Sequence, residues 1–145
     1  MSQPQFLTFE QQEKIIIAIQ QAESTTSGEI KVHIEKNCPE EDPLVRAIAV
    51  FEKLEMHKTL ERNGVLLYLA YEDHLFYVYG DEGIYEKVPH DFWESTKEKI
   101  RTKFREEKFV EGFCEGITEA GMQLAHYFPQ RSENPNELSD DISFG

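Results

Sequence analysis

Apolar residues first recur at helical spacing: Ile15, Ile16, Ile19 and Ala22 share one side of a helix that starts near Thr8. Thr8 reads as its N-cap, with Gln11 three positions on to complete a capping box, and Ser24-Thr25-Thr26-Ser27-Gly28 stops it. The period then drops to two. Ile30, Val32 and Ile34 alternate with Glu29, Lys31, His33 and Glu35, which predicts a strand with one apolar and one polar face. Asn37 to Asp42 is a polar loop. Asp42-Pro43 then opens a second helix as N-cap and first helical residue, with Leu44, Ala47, Ile48, Phe51 and Leu54 as its stripe.

Arg62-Asn63-Gly64 is a turn, and Val65 to Ala70 is apolar on both faces, as a buried central strand requires. The short link Tyr71 to His74 makes the next strand, Leu75 to Tyr79, antiparallel to it. Gly80-Asp81-Glu82-Gly83 reads as a turn in which glycine supplies a positive φ. Two long helices follow, one near Asp91 to Glu107 with Trp93, Ile100 and Phe104 in register as core anchors. The other runs near Phe109 to Phe128, with Val110, Phe113, Ile117, Gly121, Leu124 and Phe128 in register. Asp91 with Glu94 resembles a capping box. Pro129 to Gly145 shows no period and reads as a disordered, dispensable tail. The organisation is therefore a flexible N-terminus over 1–6, an α/β domain over 7–128 and the tail over 129–145. A strand, crossover helix and parallel strand form a right-handed βαβ unit. With the hairpin strand and flanking helices, this predicts a three-layer α/β/α sandwich around a small mixed sheet.

The chain has 145 residues, of which 39% are hydrophobic, so one core suffices without disulfides. Cys38 and Cys114 are isolated, as in a reducing compartment, and neither begins a Cys-x5-Arg phosphatase signature. The first residues lack a basic segment followed by an apolar one, and no apolar run approaches the length of a membrane span. The expectation is a cytoplasmic monomer. A net charge of −13 argues against nucleic acid and anionic membranes as partners and in favour of cations.

Topology gives that charge a focus. The first two strands begin at Ser27-Gly28-Glu29 and Arg62-Asn63-Gly64, and the antiparallel third ends at Gly80-Asp81-Glu82-Gly83. All three segments should meet at one edge of the sheet. That edge would gather the carboxylates of Glu29, Asp81 and Glu82, the Arg62 guanidinium, and polar groups from Ser27, Thr59 and Asn63, with Asp91 approaching from the next helix. Clustered oxygens at a loop edge suit calcium or magnesium. The candidate metal ligands are Asp81, Glu82, Glu29 and Asp91. Arg62 could instead simply neutralise Asp81. A rival acidic patch, Glu40, Glu41 and Asp42 with Glu72 and Asp73, lies at the opposite edge, where its members also serve as cap and turn residues. The histidines (His33, His57, His74, His90 and His126) show no zinc spacing and read as surface residues. No Walker loop, GxSxG elbow, EF-hand or Asp-x-Asp pair is present, so phosphate-ester hydrolysis would need a metal-activated water.

At these same stretches the sequence resembles the TPM domain family: Ser27-Gly28-Glu29-Ile30, Thr59 with Arg62-Asn63-Gly64-Val65, Gly80-Asp81-Glu82-Gly83-Ile84 and Asp91-Phe92-Trp93. Phe109, Gly112, Gly116 and Ile117 in the last helix extend the likeness, which covers about residues 7 to 128. The resemblance implies an α/β/α sandwich. It also implies calcium binding and acid phosphatase activity, both attributed to the family, whose members include a thylakoid-lumen protein linked to photosystem II repair. Many relatives carry a signal peptide and a membrane segment; this chain resembles a stand-alone domain. The leading expectation is a calcium- or magnesium-binding domain with a regulatory or protein-interaction role, its partners being divalent ions and a second protein. A metal-dependent acid phosphatase is the alternative.

Overall fold

The computed structural model describes residues 6–130 and 139–145. Helix α1 spans Phe9–Glu23 and begins with the expected capping box. Thr8 Oγ1 accepts from the Gln11 N–H, and the Gln11 side chain accepts from the Thr8 N–H. Strand β1 (Glu29–Glu35), helix α2 (Pro43–Lys53) and strand β2 (Gly64–Ala70) form the βαβ unit, with Asp42 capping α2 through the Leu44 N–H at 3.0 Å. A short 3-10 turn, Met56–Lys58, precedes β2. Strand β3 (Leu75–Gly80) leads into a single-turn helix α3 (Glu82–Tyr85), and α4 (Glu94–Arg105) and α5 (Phe109–Tyr127) complete the helices.

With Ser143–Phe144 as a short β4, the sheet order is β3-β2-β1-β4, with β1 parallel to β2 and β2 antiparallel to β3. One face carries Ile30, Val32, Ile34, Val65, Leu67 and Leu69 and packs against α1, α4 and α5. The other carries Leu66, Tyr68 and Ala70 beneath Ala47, Val50 and Phe51 of α2. Apolar faces on both sides of a small sheet require a helical layer on each, which gives the three-layer α/β/α sandwich. Trp93 is 5% exposed and belongs to the larger cluster, as its register predicted.

Four expectations are corrected. The tail lacks a sequence pattern, yet Ser143–Phe144 forms β4, parallel to β1; residues 131–138, like 1–5, lie outside the described residues. A two-residue strand has no period to read, and its partner lies over a hundred positions away. Consequently β1 has no solvated face, and all seven of its residues are buried, His33 among them. Gly83 does not supply a positive φ; among the described residues the left-handed ones are Glu55, Arg62, His74 and Glu107. Gly83 is needed instead for close approach, because a Cβ there would stand 2.5 Å from the Arg62 carbonyl oxygen and closer still to that of Glu61. Asp91 does not cap α4. The N-cap is Trp93, which makes no side-chain cap bond, and Asp91 belongs to a preceding turn where its carbonyl accepts from the Glu94 N–H at 3.0 Å.

Candidate functional site

The register brings the three polar segments together at one end of the sheet, as the topology required: Glu29 pairs with Gly64, and Val65 with Gly80. Each segment is fixed by local bonds. Thr26 Oγ1 donates to the Phe128 carbonyl at 2.5 Å and accepts from the Gly28 N–H at 3.0 Å, which ties the start of β1 to the end of α5. The Arg62 N–H donates to the Thr59 carbonyl at 3.3 Å and closes a turn in which Arg62 holds a φ of 52°. A left-handed non-glycine residue needs compensation. Here the Gly83 N–H donates to the Arg62 carbonyl at 2.9 Å, and the Arg62 fork donates to both Asp81 oxygens at 2.8 and 2.9 Å. Asp81 Oδ1 also accepts from the Glu82 N–H at 2.7 Å and so caps α3. Arg62 Nη1 reaches Glu82 at 3.1 Å.

Beside this clamp runs a second chain of bonds. Asn63 Nδ2 donates to Ser27 Oγ at 3.2 Å, and Ser27 Oγ donates to Glu61 Oε2 at 2.5 Å. Asn63 is 1% exposed and Thr59 4%, yet Asn63 Oδ1 and Thr59 Oγ1 have no hydrogen-bond partner. An unpartnered buried oxygen costs about 1–3 kcal/mol of desolvation, so two in one five-residue turn are a marked feature. His57 Nδ1, two residues before Thr59, is likewise buried without a partner. The Trp93 indole N–H is a fourth such group and packs against Gly80, where a Cβ would lie 3.3 Å from Nε1.

The structure thus gathers Ser27, Thr59, Arg62, Asn63, Asp81 and Glu82 at the predicted edge, but not as a carboxylate cage. Among the described residues no three His, Cys, Asp or Glu side chains stand close enough to hold a metal by themselves. Asp81 is engaged by Arg62, and Asp91 is exposed on a cleft lined with Glu94, Ser95, Glu119 and Gln123 between α4 and α5. Glu29 is buried beside Glu23, whose pKa rises to about 10. Burial is the main cause, followed by a hydrogen bond with Asp140. Glu61 was not singled out from the sequence, although it sits in the same turn as Thr59 and Asn63.

The opposite edge holds a network that sequence reading missed. Glu35 accepts from Arg46 Nε at 2.8 Å and Nη2 at 2.7 Å, and from the Tyr68 hydroxyl; His33 Nε2 lies 3.3 Å from it. Burial pushes the Glu35 carboxyl up, but the bonds from Arg46, Tyr68 and His33 outweigh this and hold it at about 2. Burial lowers the pKa of His33, whose Nδ1 lies 2.8 Å from Ser143 Oγ of β4. The rival acidic patch does structural work, as its residue types suggested. Asp73 accepts from Asn37 Nδ2 at 2.9 Å and the Cys38 N–H at 2.6 Å, and Asp42 caps α2.

A profile of the TPM domain matches residues 1–123. This chain belongs to the TPM domain family. The TPM fold is also that of the BA42 protein from the psychrophilic bacterium Bizionia argentinensis, solved by NMR. That protein is 45% identical, covers 99% of each chain and superposes with a TM-score of 0.93. Among curated proteins none matches this TPM domain. No helix among the described residues is long and apolar enough to cross a membrane.

Proposed function

We propose that this TPM domain binds a hard divalent cation, calcium or magnesium, at the turn carrying Thr59 and Asn63, and that binding serves a regulatory or protein-interaction role. The observation that carries the reading is the pair of buried, unpartnered oxygens, Thr59 Oγ1 and Asn63 Oδ1. Calcium and magnesium take oxygen ligands, neutral carbonyl and hydroxyl oxygens included, and would satisfy both. Glu61, bonded to Ser27 next to them, offers the nearest carboxylate in the sequence. The net charge of −13 raises the local cation concentration. The roles of the predicted ligands change accordingly. Asp81 and Glu82, held by Arg62, shape the turn and contribute charge, and Glu29 and Asp91 drop out of the ligand set. With few charged ligands, affinity should be modest, on the order of 10⁻⁴ to 10⁻³ M.

Thr59→Val separates a ligand from a packing residue. It removes one buried, unsatisfied hydroxyl at nearly constant shape, so the cation-free protein should melt no lower than wild type. The wild type should gain about 1.4 kcal/mol at a calcium concentration tenfold above Kd, and the variant should lose most of that gain. Amide shifts on titration should centre on residues 57–64 and 80–83. Shifts confined to 37–42 and 72–73, or an undiminished calcium response in Thr59→Val, would refute the site. For the alternative, an acid phosphatase, the cation best placed to hold a phosphate is Arg62, and its three nitrogens already serve Asp81 and Glu82. Binding is therefore favoured over hydrolysis. Metal-dependent turnover of 4-nitrophenyl phosphate that vanishes in Thr59→Val would reverse that preference.

A further inference from the structure

A cavity of about 350 Å³ opens at the hairpin end of the sheet, away from the Thr59–Asn63 turn, between β2, β3, α4 and the start of α5. Its size falls at the lower end of the small-molecule range, with room for about a dozen waters at ~30 Å³ each. Leu69, 2% exposed, forms its floor, and Tyr71, Phe76, Phe104 and Phe109 contribute aromatic walls. The walls are already in place. Phe104 stands edge-on to Phe76 at 5.4 Å between centroids and lies 5.2 Å from Phe109. Its ring rests on the bare backbone of Gly112, where a Cβ would come within 2.7 Å of the ring, so Phe104 cannot shift toward α5.

The polar lining is the unexpected part. In a chain with 28 acidic and 15 basic residues, the described residues that line the cavity include Arg101, Arg105 and His74 and no Asp or Glu. Arg101 is half-buried and pairs with Glu98 at 2.6 Å through Nη1, an exposed pair one helical turn apart. Such a solvent-screened pair is weak and yields readily to a better-placed anion. Arg105 is exposed and makes no ion pair among the described residues.

From this we infer that the cavity is a binding site for a small carboxylate with one aromatic or branched apolar group. The apolar end stacks in the Phe76–Phe104–Phe109 cup, and the carboxylate meets the guanidinium groups at the rim. A buried aromatic ring prefers edge or offset contacts with other rings, which three differently inclined rings provide. A planar guanidinium offers a carboxylate two parallel donors. The cavity is too small for a protein face, which needs ~800 Å² per partner. It is independent of the cation reading and stands or falls separately.

The test is titration of the full chain with 3-phenylpropionate, followed by backbone amide shifts, with the neutral 3-phenylpropan-1-ol as comparator. The acid should move the signals of Leu69, Tyr71, Phe76, Phe104 and Phe109 and saturate in the millimolar range. The alcohol should bind about tenfold more weakly, a difference of about 1.4 kcal/mol. Arg105→Gln, at an exposed position, should retain the wild-type melting temperature and bring the acid's affinity down toward the alcohol's. Arg101→Gln should do the same. Equal binding of acid and alcohol, or an unchanged acid affinity in both variants, would overturn the assignment. So would acid-induced shifts that avoid these residues, or none at all in the tens of millimolar.

Discussion

Gly83→Ala is the sharpest probe of how the candidate site is built. One methyl group is added where α3 crosses the Glu61–Arg62 backbone. It would sit 2.5 Å from the Arg62 carbonyl oxygen and nearer still to that of Glu61. Both neighbours are main-chain atoms of a turn pinned by the Arg62–Asp81 fork and by the Gly83 N–H bond to Arg62, so neither can swing aside as a side chain would. Overpacking against a constrained site costs about 1–3 kcal/mol. Against this, alanine recovers about 0.5–1 kcal/mol of backbone entropy at a helical position with negative φ. The net loss should be about 1–2 kcal/mol, or about 2–8 °C in Tm at this chain length. Gly28→Ala is the control: its new Cβ meets the Leu124 Cδ1 methyl at 3.0 Å, the far end of a flexible side chain, and should cost less. Thermal unfolding by circular dichroism reads both. A Gly83→Ala protein melting at or above wild type, or Gly28→Ala proving the worse of the two, would refute the close-approach account.

Trp93→Ala should lose about 3–5 kcal/mol, read by urea unfolding, because the indole is buried in the larger core cluster. Glu35→Gln should shift the acid limb. A carboxyl held at about 2 when folded, against an ordinary 4.5, contributes stability above pH 4.5 that is lost as pH falls toward 2. The variant should be less stable at pH 7 and show a flatter decline over that window in pH-dependent urea midpoints. Glu23 works in the opposite sense. Its raised folded value of about 10 means that the native state holds a proton the unfolded chain has released, so stability falls as pH climbs from about 4.5 to 10. Glu23→Gln should remove that slope, and an unchanged slope would exclude Glu23 as its source. Removing residues 139–145 should uncover His33 and raise its pKa toward 6.5, as followed by ring-proton NMR shifts. A His33 titration identical to wild type would show that β4 does not shield it.

Local physics was legible in the sequence. Capping by Thr8 and Asp42, the helical stripes, the two-faced apolar strand β2 and the short hairpin link depend on neighbours within a few residues, and each reappears in the fold. Connection length fixes strand direction, so the meeting of Ser27, Arg62 and Asp81 at one edge follows from the order of elements alone. Three things could not. Which groups at that edge are satisfied depends on bonds between segments far apart in the chain, such as Asn63 to Ser27, 36 residues apart, and Arg62 to Asp81, 19 apart. Arg62 occupies the Asp81 carboxylate, whereas Thr59 Oγ1 and Asn63 Oδ1 are buried without partners. The burial of Lys31, His33 and Glu35 is also a tertiary outcome. Alternation marks which residues share a face of a strand but not what covers it, and here α2 and the distant β4 do. Gly83 makes the same point at one residue. Its sequence context is that of an ordinary turn, and only the crossing of two chain segments shows that its missing side chain, rather than its backbone freedom, is what the fold requires.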